Sequence, residues 1–313
     1  MMITARRHLF KFHLTLILAT LSFSGIAVAM IAIFIKRNNQ GIISAKEYLM
    51  PLIGIVVLFM AFYTIFRYYK NAPKIVIEDN FISFKNEIFP LSEIFKIKFT
   101  GKCNFKYFSN FPMEAATVYF TSGHVKFIFD DMYQNSWEIK SYLKQVIIDK
   151  KGYTFQDNLP ITKSELANEN FEVFRGNQFI SLRGFTLWGL IGFSLHALLT
   201  SNKKPTPSTL IFFTAISLFW FALHSWLMHY FKVSEKFVVV KNHLLPWKMK
   251  AFRLKEIKEI VFETRYNMPN CLRIITYDFK NKLYPAGTLR DKTWIALKER
   301  LESHGIKVRN ECI

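Results

Sequence analysis

Cysteine is scarce in this chain: Cys103, Cys271 and Cys312 are the only three among 313 residues, far apart and odd in number. That spacing fits neither a disulfide framework nor a paired CxxC zinc pattern, so reduced thiols without a chemical role are the expectation. Also missing are the phosphate-cradling GxxxxGK[ST], the GxSxG nucleophile elbow and the HExxH zinc helix. Lys102 follows Gly101, but the rest of that loop departs from a phosphate-binding one. The chain therefore reads as a non-enzyme, with no catalytic residue, no metal ligands and no cofactor expected. Acidic side chains are few as well, 23 Asp and Glu against 42 Lys and Arg.

The most informative absence is local. Asp, Glu, Lys and Arg are all missing from Phe12 to Ile35, Tyr48 to Phe66, Gly184 to Asn202 and Pro205 to Phe231, in a chain that is 51% hydrophobic. About 20 apolar residues rising ~1.5 Å each span the ~30 Å hydrocarbon core of a bilayer, so each stretch is long enough to cross one. The remaining sequence offers no bundle large enough to bury four such helices, which predicts a multi-pass integral membrane protein. The third stretch has the least slack, because Gly184, Gly189 and Gly192 lower its helix propensity; the same glycines would let a neighbouring helix approach closely. The N-terminal run begins like a signal peptide, with Arg6 and Arg7 before apolar residues and Ala27-Val28-Ala29 resembling a cleavage site. It continues to Ile35, too far for a signal core, and reads as a retained anchor.

What is present is a repeat. Phe89-Pro-Leu91-Ser-Glu93-Ile94-Phe-Lys-Ile97-Lys-Phe99 recurs as Phe252-Arg-Leu254-Lys-Glu256-Ile257-Lys-Glu-Ile260-Val-Phe262, both F-x-L-x-E-I-x-x-I-x-F. Each copy has the same order: two apolar helices, a basic exit (Phe66-Arg67, Phe231-Lys232), a strand pair, the motif, a hairpin and a helix opened by Trp137 or Trp294. The offset runs from 165 at the exits to 163 at the motif and 157 at the tryptophans, a duplication with small loop deletions.

In the first copy Asp79-Asn80 predicts a tight turn between Lys74 to Glu78 and Phe81 to Phe84. Phe95, Ile97 and Phe99 alternate with Lys96 and Lys98, and Val125, Phe127 and Phe129 alternate with His124, Lys126 and Ile128, two half-buried strands. A helix over Asn135 to Asp149 then presents Ile139, Leu143, Val146 and Ile147 on one face. The second copy predicts strands near Phe237 to Val240, Trp247 to Phe252, Ile257 to Phe262, Leu272 to Tyr277 and Leu283 to Tyr284, closed by a helix from Asp291 to Ser303. Trp137 and Trp294 are expected to be buried between closing helix and sheet.

The fold class is thus an α+β membrane protein with four transmembrane helices in two hairpins, each followed by a bent sheet of about seven strands and a closing helix. In this architecture the chain resembles the bacterial pleckstrin-homology-like membrane proteins, in which a helix pair precedes such a domain, sometimes in duplicate. The resemblance covers nearly the whole chain and rests on architecture, so it carries over no site residues. The expected organisation is hairpin 1 at 1–73, module 1 at 74–150, a linker at 151–183, hairpin 2 at 184–232 and module 2 at 233–313. In the linker, Asn158-Leu-Pro160 is followed by Thr162-Lys-Ser-Glu165, a capping box for a short helix. Phe171 and Phe174 either lie at the bilayer interface or pack against a module.

Paired helices return the chain to its starting side, so the N-terminus and both modules share one face. Eleven basic residues flank the spans on that side against five in the hairpin loops, which predicts modules in the cytoplasm of a bacterial inner-membrane protein. Residues 67–184 hold 16 basic and 13 acidic side chains, net +3, whereas 232–313 hold 18 and 9, net +9. Lys248, Lys250, Arg253 and Lys255 crowd one strand and turn where the first copy has Asn86, Glu87, Ile88 and Pro90. The resemblance implies lipid-headgroup binding near such a hairpin, and a basic module beside an anionic leaflet gains about 1 kcal/mol per nearby cation even without a pocket.

The ionisable residues of interest in the third and fourth helices are His196, His224 and His229, of which the last two lie about 140° apart and cannot share a ligand. Neutral histidines bonding across helices account for His196 and His224. The resulting expectation is a membrane-anchored adaptor or scaffold whose modules bind a protein partner, anionic lipid or each other in a homodimer. Tether and motifs argue against nucleic acid. Two other classes fit the same sequence: an inner-membrane immunity or defence protein that neutralises a membrane-targeting toxin, and, with least support, a transporter or intramembrane enzyme using His196 and His224.

Overall fold

The structure, a computed structural model, describes every residue except Met1, Ile43, Phe108, Ser109, 156–158, 201–204, 265–267 and Ile313. Asn158, Asn202 and the loop cations Lys203 and Lys204 lie outside the described residues. Among the described residues, four helical stretches are long and apolar enough to cross a membrane, Leu9–Asn39, Ala45–Asn71, Leu182–Thr200 and Pro207–Trp226, as a multi-pass membrane protein requires. The chain divides into two compact units, Met1–Thr154 and Phe155–Ile313.

The first unit starts with a strand, β1 (Ile3–Thr4), ahead of the hairpin α1 (Thr15–Asn39) and α2 (Leu49–Asn71). Lys36 and Arg37 sit in the last turn of α1, where they complement the helix dipole, and Gly41 at φ +68° stops the helix. The two helices pack closely at Gly54, where a Cβ would lie 3.0 Å from Ile31 Cγ1 and 3.2 Å from the Ala27 carbonyl oxygen. This is the small-residue seam by which apolar helices pack when burial from water gives no driving force.

After the hairpin the chain forms β2 (Ile75–Ile77), β3 (Phe81–Phe84) and β4 (Glu87–Pro90), and β1 pairs with β2, Ile3 opposite Ile77. The sheet order is β1-β2-β3-β4, so the helical hairpin is an insertion between two neighbouring strands. A second sheet follows. β5 (Ile94–Lys98) and β6 (Lys102–Lys106) pair with successive halves of the long β7 (Asn110–Phe120), and β8 (Val125–Phe129) lies on the edge opposite β5. The helix α3 (Ser136–Leu143) closes the unit, with Ile139 and Leu143 in one core with Ile75, Ile77, Val118, Phe120 and Ile128.

The second unit repeats the plan. The predicted capping box opens α4 (Lys163–Ala167): the Glu165 amide donates to the Thr162 hydroxyl at 3.3 Å and the Thr162 amide to the Glu165 carboxylate at 3.0 Å. β9 (Glu172–Phe174) precedes the hairpin α5 (Leu182–Thr200) and α6 (Pro207–Trp226), after which β10 (His229–Val233) pairs with it, Phe231 opposite Phe174. β11 (Phe237–Asn242) and β12 (Met249–Arg253) complete the sheet β12-β11-β10-β9. β13 (Ile257–Thr264), β14 (Asn270–Thr276) and β15 (Asn281–Pro285) form the second sheet, closed by α7 (Asp291–Ser303) and joined by β16 (Val308–Asn310) parallel to β13.

The two motif segments occupy equivalent elements. Phe89 and Phe252 end the first sheets, Leu91–Glu93 and Leu254–Glu256 are both 3₁₀ turns, and Ile94 and Ile257 start the second sheets. The Thr121 amide donates to the Glu93 carbonyl and the Tyr277 amide to the Glu256 carbonyl, each at 2.9 Å. Both second sheets carry a bulge one residue after that isoleucine, at Phe95 and at Lys258. Strand registers fix the true offsets. Ile75, Ile77 and Ile82 correspond to Phe231, Val233 and Val238 at 156, and Phe89 corresponds to Phe252 at 163.

Several expectations are corrected. The fourth span ends at Trp226, not Phe231, so Phe231 is a fully buried strand residue and His229 belongs to β10. Of the two positions open for Phe174, the core of the module is the one it takes. Because of the bulge, Ile94 points inward while Phe95 is 63% exposed. On β8 the strict alternation does not hold: Phe129 is buried as expected, but Ile128 is buried beside it, whereas Val125 and Phe127 face out. Trp294 is core, but Trp137 is only half-buried; its place is taken by Ile139, which matches Trp294 at an offset of 155. A Cβ on Gly189 or Gly192 would meet nothing within 4 Å, so among the described residues these glycines are not points of close helix approach.

Candidate functional site

The features singled out in the sequence of the second unit converge on, or diverge from, the end of its sheet nearest the helices. β10 runs away from α6 and β11 returns antiparallel, with Asn242 opposite His229. Asn242, 2% exposed, performs two tasks there. Its Nδ2 donates to the Ser225 carbonyl in the last turn of α6 at 2.5 Å, and its Oδ1 accepts from the Leu244 and Leu245 amides at 2.9 and 3.0 Å. That carbonyl, which also accepts from the Met228 amide at 3.2 Å, gains a second donor at the helix end, and the start of the next loop is fixed by the same side chain. The His243 amide donates to the Met228 carbonyl at 3.0 Å, and the Lys248 amide closes the loop on Leu245 at 2.9 Å.

The same junction is packed too tightly for side chains at two positions. A Cβ on Gly176 would lie 1.6 Å from the Thr288 carbonyl oxygen, and one on Gly287 2.8 Å from Arg183 Cγ. The Gly287 amide donates to the Leu227 carbonyl at 2.8 Å, so the sheet reaches the first residue past α6.

This geometry divides the four predicted headgroup cations. Lys248 and Lys250 are exposed at the helix-proximal end of β12. Arg253 lies three residues further along, about 10 Å at the rise of a strand and beyond roughly one Debye length. It is also engaged: its guanidinium donates to the Leu159 carbonyl at 2.8 Å, to Glu256 at 3.1 Å and to Glu165 at 3.2 Å. Glu256 first and Glu165 second hold its pKa above the ordinary value. Arg253 ties α4 to the sheet, and Lys255, though exposed, lies beyond it in the 3₁₀ turn.

The helix histidines are not brought together. His196 is exposed on α5, fourteen residues and so about 21 Å from the start of that helix. His224 is two residues from the end of α6, 2% exposed, its ring 4.4 Å from Trp220 and hydrogen-bonded to the Arg183 carbonyl at the start of α5. The two lie toward opposite ends of the hairpin, and His224 serves to tie its helices together at the module side.

Sequence reading missed the histidine pair beneath the loop. His229 Nδ1 meets the Pro285 carbonyl at 2.9 Å, and His243 Nε2 meets the Thr288 hydroxyl at 3.2 Å with its ring 4.7 Å from that of Tyr230. Burial chiefly lowers the pKa of His229, with the Pro285 carbonyl opposing. His243 is pushed down to about 4 by burial, then by Arg175 and His229. Both are neutral near pH 7 and contribute hydrogen bonds, not charge. The available signal was Asn242-His243 at a strand end, where Asx-turn chemistry starts a loop. Among known proteins, no family model matches the chain and no curated sequence matches it.

Proposed function

We propose that this protein is a non-catalytic, membrane-anchored adaptor whose two β modules are pleckstrin-homology-like platforms on the cytoplasmic face, and that the second platform contacts anionic lipid headgroups through Lys248 and Lys250. The observation that carries this reading is the insertion of each helical hairpin between the first two strands of a sheet, β1/β2 and β9/β10. Two covalent crossings per sheet hold one end of it against the helix ends, which fixes its face toward the leaflet without a flexible linker. The excess of basic flanks supports the cytoplasmic side.

Two membrane-proximal lysines at about 1 kcal/mol each correspond to roughly a 30-fold preference for anionic lipid. Full-length protein extracted from membranes of equal phosphatidylglycerol and phosphatidylcholine is expected to retain the anionic lipid in excess, measured by mass spectrometry of the bound lipids. The K248E/K250E variant should lose that excess, while R253Q should keep it and lower the thermal melt instead. Equal retention by wild type and K248E/K250E would overturn the headgroup assignment.

A further inference from the structure

The β11–β12 loop is extended in only one of the two copies. The offset between copies is 156 across β10 and β11 and 163 from β12 onward, so the second unit carries seven residues more at this turn. The first unit makes the same turn with Lys85 and Asn86 alone, Lys85 taking a left-handed φ of +60°. Nine residues, 241–249, stand where the first unit has those two, and the six between the strands, His243-Leu-Leu-Pro-Trp-Lys248, are not an ordinary polar loop. Leu244 and Leu245 are half-buried at the base, held by the Asn242 side chain, while Pro246, Trp247 and Lys248 are exposed, Trp247 at 74%. No acidic residue occurs between Glu235 and Glu256.

A rigid turn that exposes a tryptophan next to lysines has the composition of a bilayer interface contact, where the indole ring sits at headgroup level and the ammonium groups meet phosphate. Its position matches. The loop starts at Asn242, hydrogen-bonded to the last turn of α6, and Trp226 at the end of that helix is itself 51% exposed. Topology forces this placement, because β11 returns to the level from which β10 departed.

We infer that the His243–Lys248 loop is a second membrane contact, which seats Trp247 in the lipid interface beside the end of α6 and which the first copy lacks. The inference rests on α5 and α6 crossing the bilayer as the proposed function has them, and not on any preference for anionic headgroups. It makes the two platforms unequal: the second is pinned to the leaflet at the helix ends and at the loop, the first at its helix ends.

The test uses full-length protein in phosphatidylcholine vesicles brominated on the acyl chain, with and without phosphatidylglycerol, and takes the Trp247 emission as the difference between wild type and W247F. Trp247 is exposed, so W247F should fold as wild type does, which an unchanged melt verifies. The expected result is roughly twofold quenching of the Trp247 emission by the brominated lipid in both vesicle types, with protection from aqueous acrylamide. Quenching by acrylamide without quenching by bromine would overturn the inference, including the case in which Trp247 is covered by protein rather than lipid. If K248E/K250E abolishes anionic-lipid retention yet leaves the quenching intact, the loop contact stands apart from headgroup preference. Loss of retention preference in wild type, with quenching intact, would fault the headgroup reading alone.

Discussion

Replacing Trp294 with alanine is expected to destabilise the second unit by about 3–5 kcal/mol, the range for truncating a large aromatic in a packed core. Trp294 is 1% exposed, with its ring 4.9 Å from Phe262 of β13 and 5.8 Å from Phe231 of β10, so one side chain joins the closing helix to both sheets. Collapse around the vacancy is resisted by Leu297 and Leu301 on the same helical face, both fully buried. Trp137→Ala is expected to change stability by only about 1 kcal/mol, because a half-buried ring has less contact to lose. Thermal melts of the two full-length variants in one detergent measure the difference. Equal shifts would mean that the two closing helices use their tryptophans alike, contrary to the packing. The comparison needs the whole chain: cutting away the second hairpin would sever β9 from β10, so a module without helices requires a designed linker in its place.

An effect of similar size is expected in the first unit from a buried ion pair. Lys140 of α3 and Asp130, which follows β8, lie 2.5 Å apart with both side chains 1% exposed. Two charges taken out of water are tolerable only as a pair, and removing one partner leaves the other uncompensated at a cost of about 3–5 kcal/mol. Lys140→Met keeps most of the volume and removes the charge, so it isolates that penalty. The double variant D130L/K140M should recover most of the loss, since apolar groups of similar size often replace such a pair without net cost. The second unit has no such pair at these positions: Ala286 stands at the position of Asp130, at an offset of 156, and is buried, whereas Ile295, at the position of Lys140, is 46% exposed. A melt lowered equally by the single and double variants would show that shape, not charge, is what Lys140 supplies.

Much of the architecture was legible because its signals are local. Uncharged runs mark the four spans, the F-x-L-x-E-I segments mark equivalent turns, and Ile139, Leu143, Leu297 and Leu301 keep helical spacing. The insertion of each hairpin into a sheet was not legible. Ile3–Thr4 and Glu172–Phe174 are too short to show alternation, and their partners lie about 70 and 60 residues away across the helices. The end of the fourth span was misplaced because an uncharged run reads the same whether it continues as helix or enters a buried strand. Bulges at Phe95 and Lys258 reverse the facing of residues with no change in composition.

The site was legible only as charge. Four cations within eight residues looked like one cluster, but a strand carries Lys250 and Arg253 apart, and Glu165, 88 residues away in sequence, engages Arg253. Nothing in the sequence marks Asn242 as the residue that caps α6. Its role depends on β11 returning to the level of the helix end, a consequence of pairing rather than of neighbouring residues.

In the proposed function, the sheets threaded by the two hairpins lie on one side of the membrane, the cytoplasmic side. Single cysteines at Gln40, Pro205, Gly123 and Lys282, in a chain whose own three cysteines are replaced, test it with a membrane-impermeant thiol reagent. Labelling is expected at Gln40 and Pro205 in intact cells, and at Gly123 and Lys282 only after permeabilisation. Gly123 and Lys282 reacting from opposite sides, or both reacting in intact cells, would contradict it.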